Sequence, residues 1–235
     1  HHIEDYLKRG DALVLNDTRV RPARLRGKKE TGGNVEILLL RRLAERTWVV
    51  MVGGRGMRPG VKVELSGGKV FGTILREDGN NRVIRFTRSI LPMLREMGEI
   101  AVPPYIRERL LDDERYQTVY GEKEGSAAAP TAGLHFTRNL LEKLRYKGVK
   151  IVTVTLHVGL DTFLPVRVKR INDHPIHSEW CCVNDKAVST IKAVRRGGGR
   201  VVAVGTTTAR VLETAARADH GEKIAPVYGE TDVFI

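Results

Sequence analysis

The chain has only two cysteines, Cys181 and Cys182, and they are adjacent. Neighbouring cysteines cannot staple distant parts of a fold, so the disulfide frameworks of secreted scaffolds are excluded and a reducing compartment is expected. Long apolar runs are missing too. No stretch approaches the roughly 20 residues of a membrane-spanning helix, and no charged start followed by an apolar run marks a signal peptide. The expected location is therefore the cytoplasm, with no membrane partner. Zinc-ligand spacings are also lacking. His177, Glu179 and Cys181 would share one face of an extended segment, yet no second ligand cluster accompanies them, so no metal is expected. Aromatic residues make up only 6% of the chain, but 41% hydrophobic and 29% charged residues are ordinary globular values that exclude a disordered chain. Acidic residues are outnumbered 28 to 40 by Lys and Arg, which leaves a formal charge of +12. Such an excess suits a polyanion, because clustered Lys and Arg release counterions from nucleic-acid phosphates. A solvated basic surface would account for the same charge.

With 235 residues the chain can hold one large domain or two of modest size. Residues 1–10 predict a short helix ending at Gly10, with Ile3, Tyr6 and Leu7 at helical spacing. The apolar run Ala12 to Leu15 predicts a strand buried on both faces, which delivers Asn16-Asp17-Thr18-Arg19 to a strand end. From Pro22 to Pro103 short strand-like pieces alternate with glycine-rich turns: 34–40, 47–52, 61–65, 69–75 and 82–86. They predict a small inserted β-barrel or sandwich. Residues 22–103 hold 16 Lys and Arg against 8 Asp and Glu, a net +8. The insert thus carries most of the charge. Beyond Pro104, helix and strand alternate. Thr137 can cap a helix that ends at Gly148, strand 150–156 follows, helix 185–196 and strand 200–204 repeat the pattern, and Gly205-Thr206-Thr207-Thr208 opens another helix. An apolar strand is expected at Thr231 to Ile235, and both ends read as cut from something longer. The expected fold is mixed α/β. Residues 1–21 and 104–235 would form a barrel-like α/β main domain, incomplete at both ends, and residues 22–103 a basic inserted β domain.

Several segments can carry chemistry. In Ala128 to Thr137 small residues precede a helix, so the backbone can approach a ligand closely; equally, His135 could simply cap or pack. His157 follows a strand with Gly159 close behind, a position that serves structure as readily as catalysis. Gly205 to Thr208 offers free helix-start amides beside hydroxyls, either an anion site or an ordinary threonine cap.

Taken together, seven blocks carry a resemblance. They are Asn16 to Val20 with Pro22 to Leu25, Val102 to Ile106, Tyr116 to Tyr120, Ala128 to Thr137, Leu156 to Phe163, His174 to Glu179, and Gly205 to Glu213. In order and spacing they resemble the S-adenosylmethionine:tRNA ribosyltransferase-isomerase family of queuosine biosynthesis, over about Gly10 to Ile235. That resemblance implies an α/β main domain with an inserted β-barrel-like domain. It also implies a reaction, in which the ribosyl part of S-adenosylmethionine is transferred and isomerised onto preQ1 at the tRNA wobble position. Epoxyqueuosine-tRNA, adenine and methionine result. The implied partners are S-adenosylmethionine, as co-substrate rather than cofactor, and preQ1-bearing tRNA, bound by a monomer. Two departures stand out: Asp161 occupies a position where the family usually has Gly, and the family continues past Ile235 with Pro-Gly-Tyr and Asn-Phe-His-Leu-Pro blocks.

Such a reaction needs a base for a C5′ proton made acidic by the sulfonium. His157 leads the candidates, with His135, His177 and Glu179 as rivals, since imidazole titrates near neutral pH. Asp17 and Glu179 suit the sulfonium or the substrate amine by opposite charge, while Arg19, Arg24 and Arg210 suit a carboxylate or tRNA phosphates. Asn16, Thr18, Tyr116, Pro130, Thr131, Gly133, Gly159, Thr206 and Thr207 are the remaining expected substrate contacts. Two rivals from other classes are a non-catalytic RNA-binding protein and an S-adenosylmethionine-dependent RNA methyltransferase. The methyltransferase would need a glycine-rich loop after its first strand, and Asn16 to Arg19 is not one.

Overall fold

Every residue of the first strand, β1 (Ala12–Asn16), is buried, as an unbroken apolar run requires of a strand covered on both faces. The computed structural model describes residues 2–103, 106, 110–159, 178–218 and 224–235, and its contacts divide the chain into two units. One holds the described residues up to Val20, from Leu111 to Val158, and from Ser178 onward; the other holds those of Arg21–Leu110, with Gly159. The divisions at 20/21 and 110/111 stand against the expected 21/22 and 103/104.

In chain order the first unit begins with α1 (Ile3–Tyr6), β1 and β2 (Thr18–Val20). The second unit contains β3 (Arg24–Lys29), β4 (Asn34–Ala44), β5 (Thr47–Gly53), β6 (Lys62–Leu65), β7 (Val70–Asp78), β8 (Asn81–Phe86), α2 (Leu94–Met97) and β9 (Gly98–Glu99). Its strands run antiparallel in the order β4-β5-β8-β7-β6-β3, and pairing of β3 with β4 closes a six-strand barrel to which β9 adds beside β3. Leu25, Ile37, Trp48, Ile74, Ile84 and Phe86 fill the interior, each at most 1% exposed. Closure satisfies the edge groups that an open sheet of this size would leave unpaired. Sequence periodicity misses β3 because four of its six residues are charged and only Leu25 is buried.

The first unit resumes with β10 (Lys123–Ser126), α3 (Arg138–Tyr146), β11 (Lys150–Leu156), β12 (Glu179–Val183), α4 (Asp185–Arg196), β13 (Val201–Ala203), α5 (Gly205–Arg217) and β14 (Val227–Thr231). Its five-stranded sheet has the order β13-β1-β11-β12-β14, with β13, β1 and β11 parallel and the last two strands antiparallel. Thr137 caps α3 by accepting from the Leu140 amide, and Asn184 caps α4 by accepting from Ala187. The buried face of α3, Leu141 and Leu144, packs on Leu7, Leu13, Leu15 and Phe136. Each such leucine contributes roughly 1.5–3 kcal/mol by leaving water. At the amino end of β1, Asp11 accepts from the Arg200 guanidinium at 2.6 Å and from the Arg200 and Lys8 amides. The Arg200 hydrogen bond holds the Asp11 carboxyl far below the usual carboxylate range.

One expected strand is displaced. Residues 227–231 pair with β12, whereas 232–235 do not, because Thr231 ends the ladder: its hydroxyl accepts from the Val233 amide and bonds the Thr214 hydroxyl. The apolar run beyond it leaves Phe234 and Ile235 about half exposed, at 47% and 53%. Among the described residues no helix is long and apolar enough to cross a membrane.

Candidate active site

Since β13, β1 and β11 are parallel, their carboxyl ends meet at one rim of the sheet, where ligands of open α/β sheets usually bind. Asn16 locks the β1 end to the β11 end. Its amide donates to the Leu156 carbonyl at 3.1 Å, and its side-chain oxygen accepts from the Leu156 amide at 3.0 Å and the Thr18 amide at 3.2 Å. That double bond to one backbone residue continues the strand ladder with a side chain. Asp17 is 5% exposed and accepts from the Thr155 hydroxyl at 2.6 Å. Burial pushes its carboxyl up, against the Thr155 bond and the Lys123 charge, which favour the anion.

His157 stands one residue past β11. Its Nδ1 lies 2.8 Å from the Thr18 hydroxyl, its backbone amide donates to the Trp180 carbonyl, and its ring stacks on Trp180 with centroids 5.1 Å apart. A Cβ placed on Gly125 would fall 2.6–2.7 Å from Nε2, Cδ2 and Cε1 of the imidazole. Only glycine lets the ring sit there. Buried Ser126 then ties neighbouring segments together, donating to the Ala128 carbonyl at 2.7 Å and accepting from the Val158 amide at 2.9 Å. The Ala128 loop is thereby fixed against the residue that follows His157.

From that loop, Thr131–His135 makes a tight 3-10 turn, with Thr131 and His135 facing outward and Gly133 buried. A side chain on Gly133 would overlap the Tyr120 hydroxyl. Burial, and secondarily the Asp17 charge, push the Tyr120 phenol up, so it stays protonated at neutral pH. The start of α5 approaches the same turn at Ala132. Two buried hydroxyls, Thr118 beside Gly133 and Thr208 in the first turn of α5, have no hydrogen-bond partner among the described residues.

Arg210 and Glu179 form a buried ion pair, with side-chain exposures of 15% and 8%, and Arg210 also donates to the Thr231 carbonyl at 3.0 Å. From sequence alone these two residues are expected at separate ligands; the structure pairs them with each other. Arg19 pairs with Glu114 at the surface, and Tyr116 is buried. Thr206 is exposed and Thr207 half-buried. Pro130 is buried and accepts from the Gly133 amide. Arg24 belongs to the second unit, where it lies 3.5 Å from Glu36, and Gly159 is grouped with that unit too. His177 and Asp161 lie outside the described residues. Thr155, Tyr120, Gly125, Ser126 and Trp180 were not singled out from sequence. Thr155 left one signal, a polar residue between the apolar Val154 and Leu156, and Tyr120 closes the block Tyr116 to Tyr120 that carries part of the resemblance. Among the described residues no group of three or more His, Cys, Asp or Glu is placed to hold a metal ion.

Fold and site define the class: an α/β protein with a hydroxyl-held histidine and a buried carboxylate at its sheet rim, and with a basic β-barrel as its second unit. The family described as "Queuosine biosynthesis protein" matches residues 1–235, and the chain belongs to that family. It is 48% identical over 239 residues to the S-adenosylmethionine:tRNA ribosyltransferase-isomerase of Caldanaerobacter subterraneus subsp. tengcongensis, a match covering 100% of this chain and 70% of that protein. With the enzyme of the same name from Symbiobacterium thermophilum it shares 49% over 238 residues, covering 99% and 69%. Among solved structures, the S-adenosylmethionine tRNA ribosyltransferase of Thermotoga maritima is similar at 30% identity and a TM-score of 0.41, covering 100% of this chain and 64% of that one. The chain therefore spans less than two thirds of that solved chain and a little more than two thirds of the two relatives.

Proposed function

We propose that this protein is a tRNA-modifying enzyme that transfers and isomerises the ribosyl part of S-adenosylmethionine onto preQ1 at the wobble position of tRNA. The observation that carries the reading is family membership along the whole chain, with both named relatives near 48% identity. In this reading His157 takes the C5′ proton acidified by the adjacent sulfonium, adenine leaves, and the tRNA amine attacks. Methionine departs and the epoxide forms. Support for His157 comes from its placement: Thr18, Trp180 and Gly125 hold the imidazole at a rigid strand end, as proton transfer over about 3 Å requires. Asp17 supplies negative charge toward a sulfonium, and the protonated Tyr120 supplies a hydrogen-bond donor. The overall transfer and isomerisation is redox-neutral, so S-adenosylmethionine enters as co-substrate and no redox cofactor takes part. The enzyme works in the cytoplasm as a monomer.

Incubation with S-adenosylmethionine and preQ1-tRNA tests the proposal through its products. Release of adenine and methionine is expected. S-adenosylhomocysteine would instead identify a methyltransferase, and tRNA binding without any small product a non-catalytic binder.

A further inference from the structure

We infer that the outward face of β7 and β8 on the barrel docks the single-stranded part of an RNA, with a base stacked on Phe71 and phosphates held by Arg46, Arg85 and Arg88. The inference rests on the tRNA-modifying reading and adds where the RNA is gripped.

Register fixes which residues face out. Gly72 pairs with Phe86 and Ile74 with Ile84 on the buried side, so Phe71, Thr73 and Arg85 lie on the outer side, matching the alternating burial along β7. Arg85 stands opposite Thr73 on one neighbour and Thr47 on the other, in the middle of a three-strand stretch. Phe71 and Thr87 exchange hydrogen bonds: the Phe71 amide donates to the Thr87 hydroxyl at 3.2 Å, and the Thr87 amide donates to the Phe71 carbonyl at 2.8 Å. The Arg46 guanidinium reaches the Thr87 carbonyl at 3.4 Å, and Arg88 is the next residue. A phenylalanine, 42% exposed, thus shares the outer face with Arg85, and the exposed Arg46 and Arg88 adjoin its hydrogen-bond partner Thr87.

Charge identifies the partner. Elsewhere on the barrel, Glu30, Glu36, Glu77, Asp78, Glu96 and Glu99 each sit within ion-pair distance of a Lys or Arg. Arg46, Arg85 and Arg88 have no carboxylate at that distance among the described residues, although exposed Glu45 adjoins Arg46 and Glu64 stands opposite Phe71 on β6. The positive charge of this face is therefore largely uncompensated, which suits a chain of phosphates. Duplex phosphates alone would not use an exposed aromatic ring. Unpaired bases would, because any base can stack its π-face on one.

The test measures binding of the full chain to two probes, an RNA hairpin with an unpaired loop and a perfect RNA duplex of equal length. Phe71→Ala is expected to weaken hairpin binding roughly 5-fold to 100-fold, leaving duplex binding unchanged. Phe71→Tyr should bind like the parent and shows that the site tolerates substitution. Changing Arg46, Arg85 and Arg88 together to Gln should reduce the salt slope of hairpin binding by about 2. Parent-like hairpin binding by Phe71→Ala, equal losses on both probes, or an unchanged salt slope in the triple variant would each overturn the inference. If the parent binds RNA and releases adenine while these variants behave like it, only the docking surface fails. If the parent binds neither probe, the tRNA-modifying reading fails with it.

Discussion

The Thr18 hydroxyl lies 2.8 Å from Nδ1 of His157 and 3.4 Å from the Lys123 carbonyl. A carbonyl only accepts, so a hydroxyl donating to Lys123 can accept from Nδ1–H, which orients the ring and favours the tautomer with its lone pair on Nε2. Thr18→Val should lower turnover up to about 10-fold, the worth of one hydrogen bond, and shift the acidic limb of the pH–rate profile, while Thr18→Ser restores both. A profile unchanged in Thr18→Val would show that the bond does not set the state of His157.

His157→Ala should still fold and bind S-adenosylmethionine and tRNA, yet lose about 100-fold or more in turnover and in solvent-hydrogen exchange at C5′. Exchange is to be measured per folded molecule. Normal exchange would pass the role of base to His135, His177 or Glu179.

Gly133→Ala should destabilise the chain by about 1–3 kcal/mol, the usual range for overpacking, because the new methyl meets the Tyr120 hydroxyl. Adding Tyr120→Phe removes the clashing oxygen and should recover much of that loss in urea unfolding. Without any recovery, the clash lies elsewhere.

Arg210→Ala should cost about 3–5 kcal/mol, since Glu179 keeps a buried charge after its ion-pair partner is gone. Replacing the pair together, with Arg210→Met and Glu179→Leu, should restore most of the stability. A raised KM for S-adenosylmethionine in Arg210→Ala therefore reports an anion site only if the double variant shows it as well.

Acid stability should depend on Asp11. Its carboxyl sits below the usual value in the folded chain, so the unfolded chain binds more protons across that window and stability falls as pH drops below roughly 4. Asp11→Asn should lower the melting temperature at neutral pH and flatten its decline in acid. An equally steep decline would assign acid sensitivity to other carboxylates.

Local chemistry explains which parts were legible in the sequence. Residues 150–156 and 185–196 match β11 and α4 because a β-branched run makes the first, burial at Ala187, Val188, Ile191 and Val194 follows the helical period in the second, and a cap or turn marks the boundary. β3, β10 and β12 escaped because backbone partners, rather than their own apolar pattern, make them strands. At the rim, the place of His157 could be read from the strand before it. Its partners could not, since Thr18 is 139 residues distant and Gly125 sits in a charged stretch with no periodicity. Likewise the pairing of Arg210 with Glu179 was not legible, because nothing in one sequence shows that opposite charges on α5 and β12 meet.

The parallel pairing of β1 with β11 joins Asn16 to Val154, with the barrel segment lying between them in the chain. During synthesis β1 leaves the ribosome first and has no central neighbour until β11 emerges, on the order of 10 seconds later at about 5–20 residues per second. Meanwhile the barrel strands, whose partners are mostly adjacent in sequence, can close on their own. A nascent chain can thus close its barrel before Thr18 and His157 ever meet, and a product truncated after the barrel would hold that unit without the rim hydrogen bond.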